Sequence, residues 1–259
     1  MLDMQALADL YFSNGVPVPY RLKNGGELLI YPILVKDYST YERVNRLLTI
    51  KKDDIQDIEI VKMSYLQFLV DKVLKENDML TQYFSLLIKL CLGYEMINCI
   101  VQDNKYILCL CNKNGTIEKQ ITHKEFNEIS KIILHQNDAN YDDREFSSDV
   151  EKAIADYYAL AYKDTTAPTL EEKKAFVASK ISKSFKELGM LTYREFDLIY
   201  SSCLNSELFM AQKLLQASEK YEIKENVEHP LFQKKTDILE KVFSVKTEDM
   251  VAKINQANI

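Results

Sequence analysis

Cysteine and histidine are the first residues to test for chemistry, because both can hold a metal ion or carry a reaction. The chain has five cysteines, Cys91, Cys99, Cys109, Cys111 and Cys203, and no Cys-x-x-Cys spacing. Cys109 and Cys111 would project from the same side of one strand, which is compatible with a metal pair. The three histidines lack ligand spacing. Buried free thiols in a reducing compartment are therefore the preferred interpretation.

Histidine is the usual acid–base residue of enzymes, but it needs partners that hold and orient it. His123 falls in the first turn of a predicted helix, and His135 and His229 fall near helix ends, which are common structural positions. The chain contains no Gly-x-Ser-x-Gly, His-Glu-x-x-His or Gly-x-Gly-x-x-Gly motif. These positions favour structural roles for all three histidines.

Adjacent acidic residues form three pairs, Asp53-Asp54, Asp142-Asp143 and Glu171-Glu172. Sequence neighbours do not face each other on a helix, and each pair falls at a break or a helix start, where carboxylates complement the helix dipole. The run from Asp142 to Glu145 could bind a cation, but it lacks EF-hand spacing, so a solvated loop is preferred. We assign no catalytic, cofactor-binding or metal-binding residue, and we predict that the protein is not an enzyme and has no cofactor.

Length and charge narrow the class of partner. The chain has 259 residues, 47% of them hydrophobic and 28% charged, with a net charge of −6. An acidic chain does not provide the clustered lysine and arginine that nucleic-acid phosphates require. The first residues lack a basic region, and the most apolar helix, 83–92, contains Lys89. We therefore expect no nucleic-acid or membrane partner. Sixteen tyrosines and no tryptophan fit either a protein interface or ordinary core edges.

The clearest local structure runs from residue 104 to residue 138. Two apolar runs, 106–111 and 116–121, flank Asn114-Gly115, which favours the positive φ angles of a tight hairpin turn. Thr122 can cap the helix that follows, and Glu125 can reach back to the Thr122 amide. The spacing therefore predicts two antiparallel strands followed by a helix whose apolar stripe covers one face of the sheet.

The region before this unit predicts helices around a second hairpin. Residues 14–19 form an arm with two prolines, which docks either on a partner or on its own domain. A hairpin spans 20–31, with Gly25-Gly26 at its turn; the absence of a Gly-Lys-Ser/Thr run argues against a phosphate loop. Asp37 and Asn77 are predicted to cap helices, and Gly93 to end one. With a strand at 95–101, the prediction is an α+β fold: a small antiparallel sheet, made of a hairpin and a three-stranded meander, covered by helices.

The region after residue 146 predicts helices alone. Capping boxes pair Ser148 with Glu151, Thr169 with Glu172, and Thr192 with Glu195. Residues expected to be buried in these helices include Phe176, Ile181, Phe185 and Phe196. A separate helix is predicted over 207–221, with Leu208, Leu214 and Leu215 inward, and shorter ones lie near the end. We therefore predict two domains, an α+β domain with an N-terminal arm at 1–145 and a helical domain at 146–259.

Four segments together resemble a known class of proteins: YPILVKDY (Tyr31–Tyr38), DIEIVKMSYLQFL (Asp57–Leu69), ITHKEFNEISKIILHQND (Ile121–Asp138) and LTYREFDLIY (Leu191–Tyr200). Their order resembles baseplate hub and tail-assembly proteins of contractile-tailed bacteriophages of Gram-positive hosts and of related phage-like particles. The resemblance implies a structural protein without catalytic residues.

The resemblance also implies partners and a location. The partners would be other phage tail or baseplate proteins in a hetero-oligomeric assembly, and the chain would reside in the virion tail after synthesis in the host cytoplasm. A transient tail-assembly chaperone is the alternative, and an enzyme or nucleotide-binding regulator with an unrecognised site is the second alternative. A virion component is expected to show tyrosines clustered on exposed patches.

Overall fold

The protein has the α+β fold that the sequence predicts, with a two-stranded and a three-stranded antiparallel sheet. The computed structural model describes residues 3–52, 58–75, 77–144, 148–161, 167–217, 237–240 and 242. By internal contacts the chain divides into two compact units, the first made of Met1–Asp142 with Lys174–Tyr200, and the second of Asp143–Lys173 with Ser201–Ile259.

The chain begins with helix α1 (Met4–Leu7), which continues as a π-helical turn to Phe12. The first hairpin follows, with strands β1 (Val18–Arg21) and β2 (Glu27–Ile30). The arm before β1 packs on its own unit, since the Gln136 side chain donates a hydrogen bond to the Val16 carbonyl at 3.4 Å. Of the two interpretations of the arm, the structure therefore supports the intramolecular one.

Four helices separate the hairpin from the second sheet. They are α2 (Tyr38–Val44), α3 (Ile58–Lys62), α4 (Tyr65–Phe68) and α5 (Asp78–Leu92). The Asn77 side chain caps α5 as predicted, accepting from the Leu80 amide at 3.1 Å, and Gly93 ends α5 with φ +78°. Asp37 occupies the N-cap position of α2, but its side chain makes no capping hydrogen bond.

The second sheet is the predicted meander of β3 (Met96–Gln102), β4 (Lys105–Cys111) and β5 (Ile117–Thr122). The tight two-residue turn is between β3 and β4, where Asp103 and Asn104 both have positive φ. The β4–β5 connection is longer than Asn114-Gly115 suggests. Gly115 alone has positive φ there, and the Asn112 side chain accepts from the amides of residues 114 and 116.

Helix α6 (His123–Asn137) organises the core of the first unit. Its predicted capping box is present: Thr122 accepts from the Glu125 amide, and the Glu125 carboxylate accepts from the Thr122 amide. The stripe Phe126, Ile129 and Ile132 is buried, as predicted. Helices α4, α5 and α6 pack on one face of the meander, so the core is a helical layer on a sheet.

Within residues 148–217, the described part of the chain forms α7 (Ser148–Ala161), α8 (Leu170–Ile181), α9 (Phe185–Gly189) and α10 (Tyr193–Gln216). The predicted boxes at Thr169 and Thr192 are confirmed by hydrogen bonds with Glu172 and Glu195. The side chain of Ser148, the start of the first predicted box, is outside the described residues.

Burial in this region differs from the prediction. Ser182, with φ +54°, ends α8, and a capping box of Ser184 with Glu187 starts α9, which the sequence interpretation missed. Phe185 thus becomes the first residue of a new helix and is exposed, so its predicted burial was wrong. Val177 is the buried residue of α8.

Helix α10 corrects a second prediction. The helix predicted from Thr192 and the described part of the helix predicted over 207–221 are one continuous helix, because the polar residues between them do not interrupt it. Leu208, Leu214 and Leu215, predicted to point inward, are 53%, 70% and 45% exposed. Phe196 is the buried residue of α10. An apolar stripe at helical spacing alone therefore did not identify the packed face.

Residues 174–200 join the first unit through backbone pairing. The Val35 amide donates to the Leu191 carbonyl at 3.0 Å, and the Tyr193 amide donates to the Ile33 carbonyl at 2.7 Å. The isolated antiparallel bridge of Leu34 with Thr192 lies between these two hydrogen bonds. The predicted domains, 1–145 and 146–259, remain a prediction; the contact-based units differ from them in this returning segment.

Candidate functional site

The meander has two unlike faces. Its inner face carries Leu108, Leu110 and Ile121, which lie in the hydrophobic core under the helices. Because side chains alternate along a strand, Cys109 and Cys111 of the central strand face the other way. On that outer face Asn98 and Cys109 are register partners, as are Ile100 and Ile107, and so are Met96 and Cys111. The outer face is thus largely apolar, whereas the solvated face of an antiparallel sheet is usually polar.

The two edges of the meander are also unlike. Along β5, the turn of the first hairpin approaches the strand: the Asn24 side chain donates to the Gln120 carbonyl at 3.4 Å, and Lys119 lies beside Gly26. Along β3, the backbone hydrogen bonds between described residues run to β4 alone. The β3 edge is therefore the open edge of this sheet within the described part of the chain.

Strand β3 also lacks the usual protection of an open edge. Natural edge strands carry charges, proline or a bulge, which prevent pairing with other chains. The sequence of β3, MINCIVQ, has no charge and no proline, and all seven of its residues pair in regular register with β4. Two of its apolar side chains are exposed, Met96 by 46% and Val101 by 58%. This combination is typical of strands that accept a further strand.

An open groove of about 450 Å³ runs beside this edge, on the inner side of the sheet. Its apolar walls come from β3, from the π-helical segment Leu69–Leu74 and from α5. They are formed by Val70, Leu74, Phe84, Ile97 and Cys99. Asp71, Lys75 and Asp78 add charges to the lining. The groove therefore offers apolar space next to unpaired strand backbone.

Tyr106 spans one end of the groove. Its hydroxyl donates to the Asp71 carboxylate, with oxygen–oxygen distances of 2.7 and 2.8 Å. This hydrogen bond, with smaller effects from burial and from the charge of Asp71, raises the pKa of Tyr106 to about 12. The phenol therefore stays protonated at neutral pH and ties β4 to the helical wall of the groove.

The thiols of Cys91, Cys99 and Cys109 all have raised pKa values. Burial is the main cause that raises the pKa of Cys99, to about 11, and it also raises the pKa of Cys91 and Cys109. A thiolate, the form that binds metals and attacks substrates, is therefore disfavoured at neutral pH. Within the described ranges, no group of three or more histidine, cysteine and acidic residues has the geometry to hold a metal ion.

The other residues considered for chemistry lie apart from the groove or outside the described ranges. The His135 ring packs edge-to-face against the Tyr141 ring, with the ring centroids 4.9 Å apart. Glu172 serves in the capping box of α8. Asp142 and Asp143 are exposed. His123 does lie beside the groove's sheet, at a second surface depression of about 290 Å³. Asp53, Asp54, Glu145 and His229 are outside the described residues.

The tyrosines in the described part of the chain do not form the exposed clusters that were expected of a virion component. Among those described with their side chains, only Tyr31 and Tyr158 are exposed; the others are buried or half-buried. The open sheet edge, rather than a tyrosine patch, is thus the feature of the surface suited to binding. Its sequence signal was present, since β3 is an uncharged apolar strand at the end of a predicted meander, but the prediction did not distinguish its two edges.

Comparison with known protein families, with characterised proteins and with solved structures finds no match to this chain. Within the described residues, no helix is both long enough and apolar enough to cross a membrane.

Proposed function

We propose that this chain is a structural, protein-binding component of a bacteriophage-type tail, located at the baseplate hub, and that it binds a neighbouring tail protein through the open edge of β3. The tail assignment rests on the resemblance of the four quoted segments to such proteins. The binding mode rests on one observation: β3 offers seven residues of regular, uncharged strand with no backbone partner beyond β4 among the described residues.

The chemistry of this edge selects an extended segment as the occupant. Unpaired amides and carbonyls along a strand are satisfied by another strand, which adds main-chain hydrogen bonds in a continuous row. Side chains of an added strand alternate between the two faces. Those on the inner side would enter the groove beside Phe84 and Leu74, and those on the outer side would extend the apolar face that includes Ile100. The partner segment should therefore be apolar on both sides.

Purified particles from the source organism test the location. Mass spectrometry of intact, washed particles is expected to find the chain at a fixed ratio to the baseplate proteins. A chain that is needed for tail assembly but is absent from the washed particles would contradict the virion assignment and identify a transient assembly factor.

Replacing Val101 by lysine tests the docking edge. A lysine on an edge strand opposes pairing with another strand because its charge must be kept in water. We expect recovery of the partner with the tagged chain to fall about tenfold, equivalent to about 1.4 kcal/mol of binding free energy. The measurement is quantitative co-purification from particles dissociated and reassembled with the variant.

Ile117→Lys is the matched control. Ile117 is also an apolar strand residue, 43% exposed, but it belongs to β5, the edge that the first hairpin approaches. Partner recovery should be close to that of the wild type for this variant. Equal losses for the two variants, or no loss with Val101→Lys, would contradict docking at β3. If the wild-type chain pairs with a second copy of itself through β3, that copy is the partner at this edge. This result would also contradict the proposal that the partner is a different tail protein.

A further inference from the structure

The depression of about 290 Å³ beside His123 lies where three segments of the first compact unit meet. These segments are the turn of the first hairpin, the tight turn between β3 and β4, and the junction of β5 with α6. The volume is near the lower end of the roughly 300–1,000 Å³ typical of small-molecule sites, so the depression suits a small group. The residues that decide its chemistry are Lys23, Lys105, Lys124, His123 and Asp103.

Positive charge dominates this lining. Three lysines line the depression, one from each segment, and they stand against one lining carboxylate, that of Asp103. His123 adds an imidazole, which offers an N–H donor in either tautomer. The whole chain has a net charge of −6, so this local excess of lysine is opposite to the overall balance. A cleft lined by one sign of charge focuses its field and concentrates ions of the opposite sign.

The ammonium groups of these lysines are available to a ligand. All three side chains are exposed, and none of them forms a hydrogen bond or an ion pair with another residue in the described part of the chain. On another surface of the same unit, by contrast, Lys89 pairs with Glu95 at 3.4 Å. Like charges gathered on one small concave surface repel one another, and a bound anion relieves that repulsion.

The buried carboxylate near the depression is engaged elsewhere. Glu125 is 1% exposed, and its oxygens accept from the Lys23 amide and from the amide and hydroxyl of Thr122. Thr122 is likewise committed to capping α6, so neither side chain is left to hold a ligand. The Lys23 ammonium acts on Glu125 through its charge. Lys105 and Lys124 are therefore the two cations expected to contribute most to the binding of an anion.

We propose that this depression binds a phosphate group, either as the free ion or on a phosphorylated side chain. A phosphorylated side chain carries a charge of about −1.5 to −2 at neutral pH and has three strong acceptor oxygens, so it can accept from several lysines at once. A carboxylate has two oxygens and a single charge. Lysine binds phosphate as a point charge and needs no bidentate geometry. The proposal does not depend on docking at β3.

The test uses the full chain and two probes, inorganic phosphate and N-acetyl-phosphoserine methylamide, with binding followed by NMR shifts of the His123 and Lys124 amides. Both probes are expected to give saturable shifts, and the tighter of the two identifies the source of the phosphate. N-acetyl-serine methylamide, which lacks the phosphate, should give none. Glutarate should bind about fivefold more weakly than the phosphoserine derivative, because its charge is divided between two separate carboxylates. Binding should weaken as sodium chloride is added.

Variants localise the probes. Lys105→Gln and Lys124→Gln should each weaken binding of the phosphoserine derivative by about fivefold, the upper end of what one exposed charge pair contributes. Lys113→Gln, which changes an exposed lysine outside the lining, should leave binding unchanged. Asp103→Asn should strengthen binding, because it removes the carboxylate of the lining. Asp103 has φ +49°, and asparagine tolerates positive φ, so this variant keeps the turn.

The outcomes separate a phosphate site from its alternatives. No saturable shift with either phosphate probe would overturn the proposal. Equal binding of glutarate would overturn the phosphate assignment in favour of a site for carboxylates. Equal losses for Lys105→Gln and Lys113→Gln would show diffuse attraction to surface lysines and no defined site. Val101 does not line this depression, so the result stands apart from the Val101→Lys experiment, and failure of one leaves the other intact.

Discussion

Replacing Phe196 by alanine is expected to lower the free energy of unfolding of the first compact unit by about 3–5 kcal/mol, because it removes a fully buried ring and leaves a cavity that its surroundings fill only in part. Phe196 has no exposed surface and lies one turn after Thr192 in α10. The preceding residues carry the backbone pairing that joins segment 174–200 to the rest of its unit.

The loss should appear first where that segment is attached. The amides of Val35 and Tyr193 donate the two hydrogen bonds that link it to the N-terminal residues. Hydrogen exchange at these two amides should accelerate more than exchange in α6, because local opening follows the least stable contacts. Urea unfolding, followed by circular dichroism since the chain has no tryptophan, measures the total change.

Phe185→Ala is the matched control for this experiment. It removes the same ring from α9, a neighbouring helix of the same unit, but Phe185 is 47% exposed. A change of less than about 1 kcal/mol is expected there, as for other surface positions. Similar losses for the two variants would contradict the structure's assignment of Phe196, and not Phe185, to the core.

These two phenylalanines also show which parts of the fold follow from the sequence. The capping boxes at Thr122, Thr169 and Thr192 were predicted because each depends on residues three positions apart. The break before Phe185 was missed because it depends on the positive φ of Ser182, and serine adopts that conformation only rarely. A local pattern therefore identified helix starts better than helix ends.

Long-range contacts were the larger omission. The backbone pairing of residues 33–35 with residues 191–193 joins two segments that are too short to show the alternating sequence pattern of a β-strand. The predicted helical domain, 146–259, includes segment 174–200, and no pattern in the sequence indicated this pairing. The stack of Tyr38 on Tyr193 was missed for the same reason, since the two residues are 155 positions apart in sequence.

The open edge of the meander was predictable in part. The meander, its strand order and the apolar character of β3 follow from hairpin signals and alternation. The sequence patterns do not show which edge of the meander stays open, because this depends on where the turn of the first hairpin lies. Asn24 and Lys23 bring that turn to the β5 side through hydrogen bonds with Gln120 and Glu125.

Glu125 is consequently expected to be a large contributor to the stability of the first unit. The residue is only 1% exposed. Its carboxylate accepts from the Lys23 amide at 2.7 Å, the Thr122 amide at 2.9 Å and the Thr122 hydroxyl at 2.6 Å. Glu125→Ala leaves these donors without their acceptor, and a loss of about 2–3 kcal/mol is expected. Glu187→Ala, in the exposed capping box of α9, should cost far less because water can replace the acceptor.

The pH dependence distinguishes the charge of Glu125 from its packing. Burial acts to raise the pKa of this carboxyl, but the hydrogen bonds from Thr122 and Lys23 together outweigh it and hold the pKa below its usual value. A lowered pKa in the folded state means that the charged form stabilises folding above the unfolded-state pKa of about 4.3, and that this contribution is lost as the pH falls through the folded-state value.

Glu125→Gln keeps the shape and one acceptor but cannot ionise. The difference in unfolding free energy between wild type and Glu125→Gln should therefore be constant at neutral pH and shrink below about pH 4. A difference that stays constant into the acid range would show that Glu125 joins the first hairpin to α6 through packing alone.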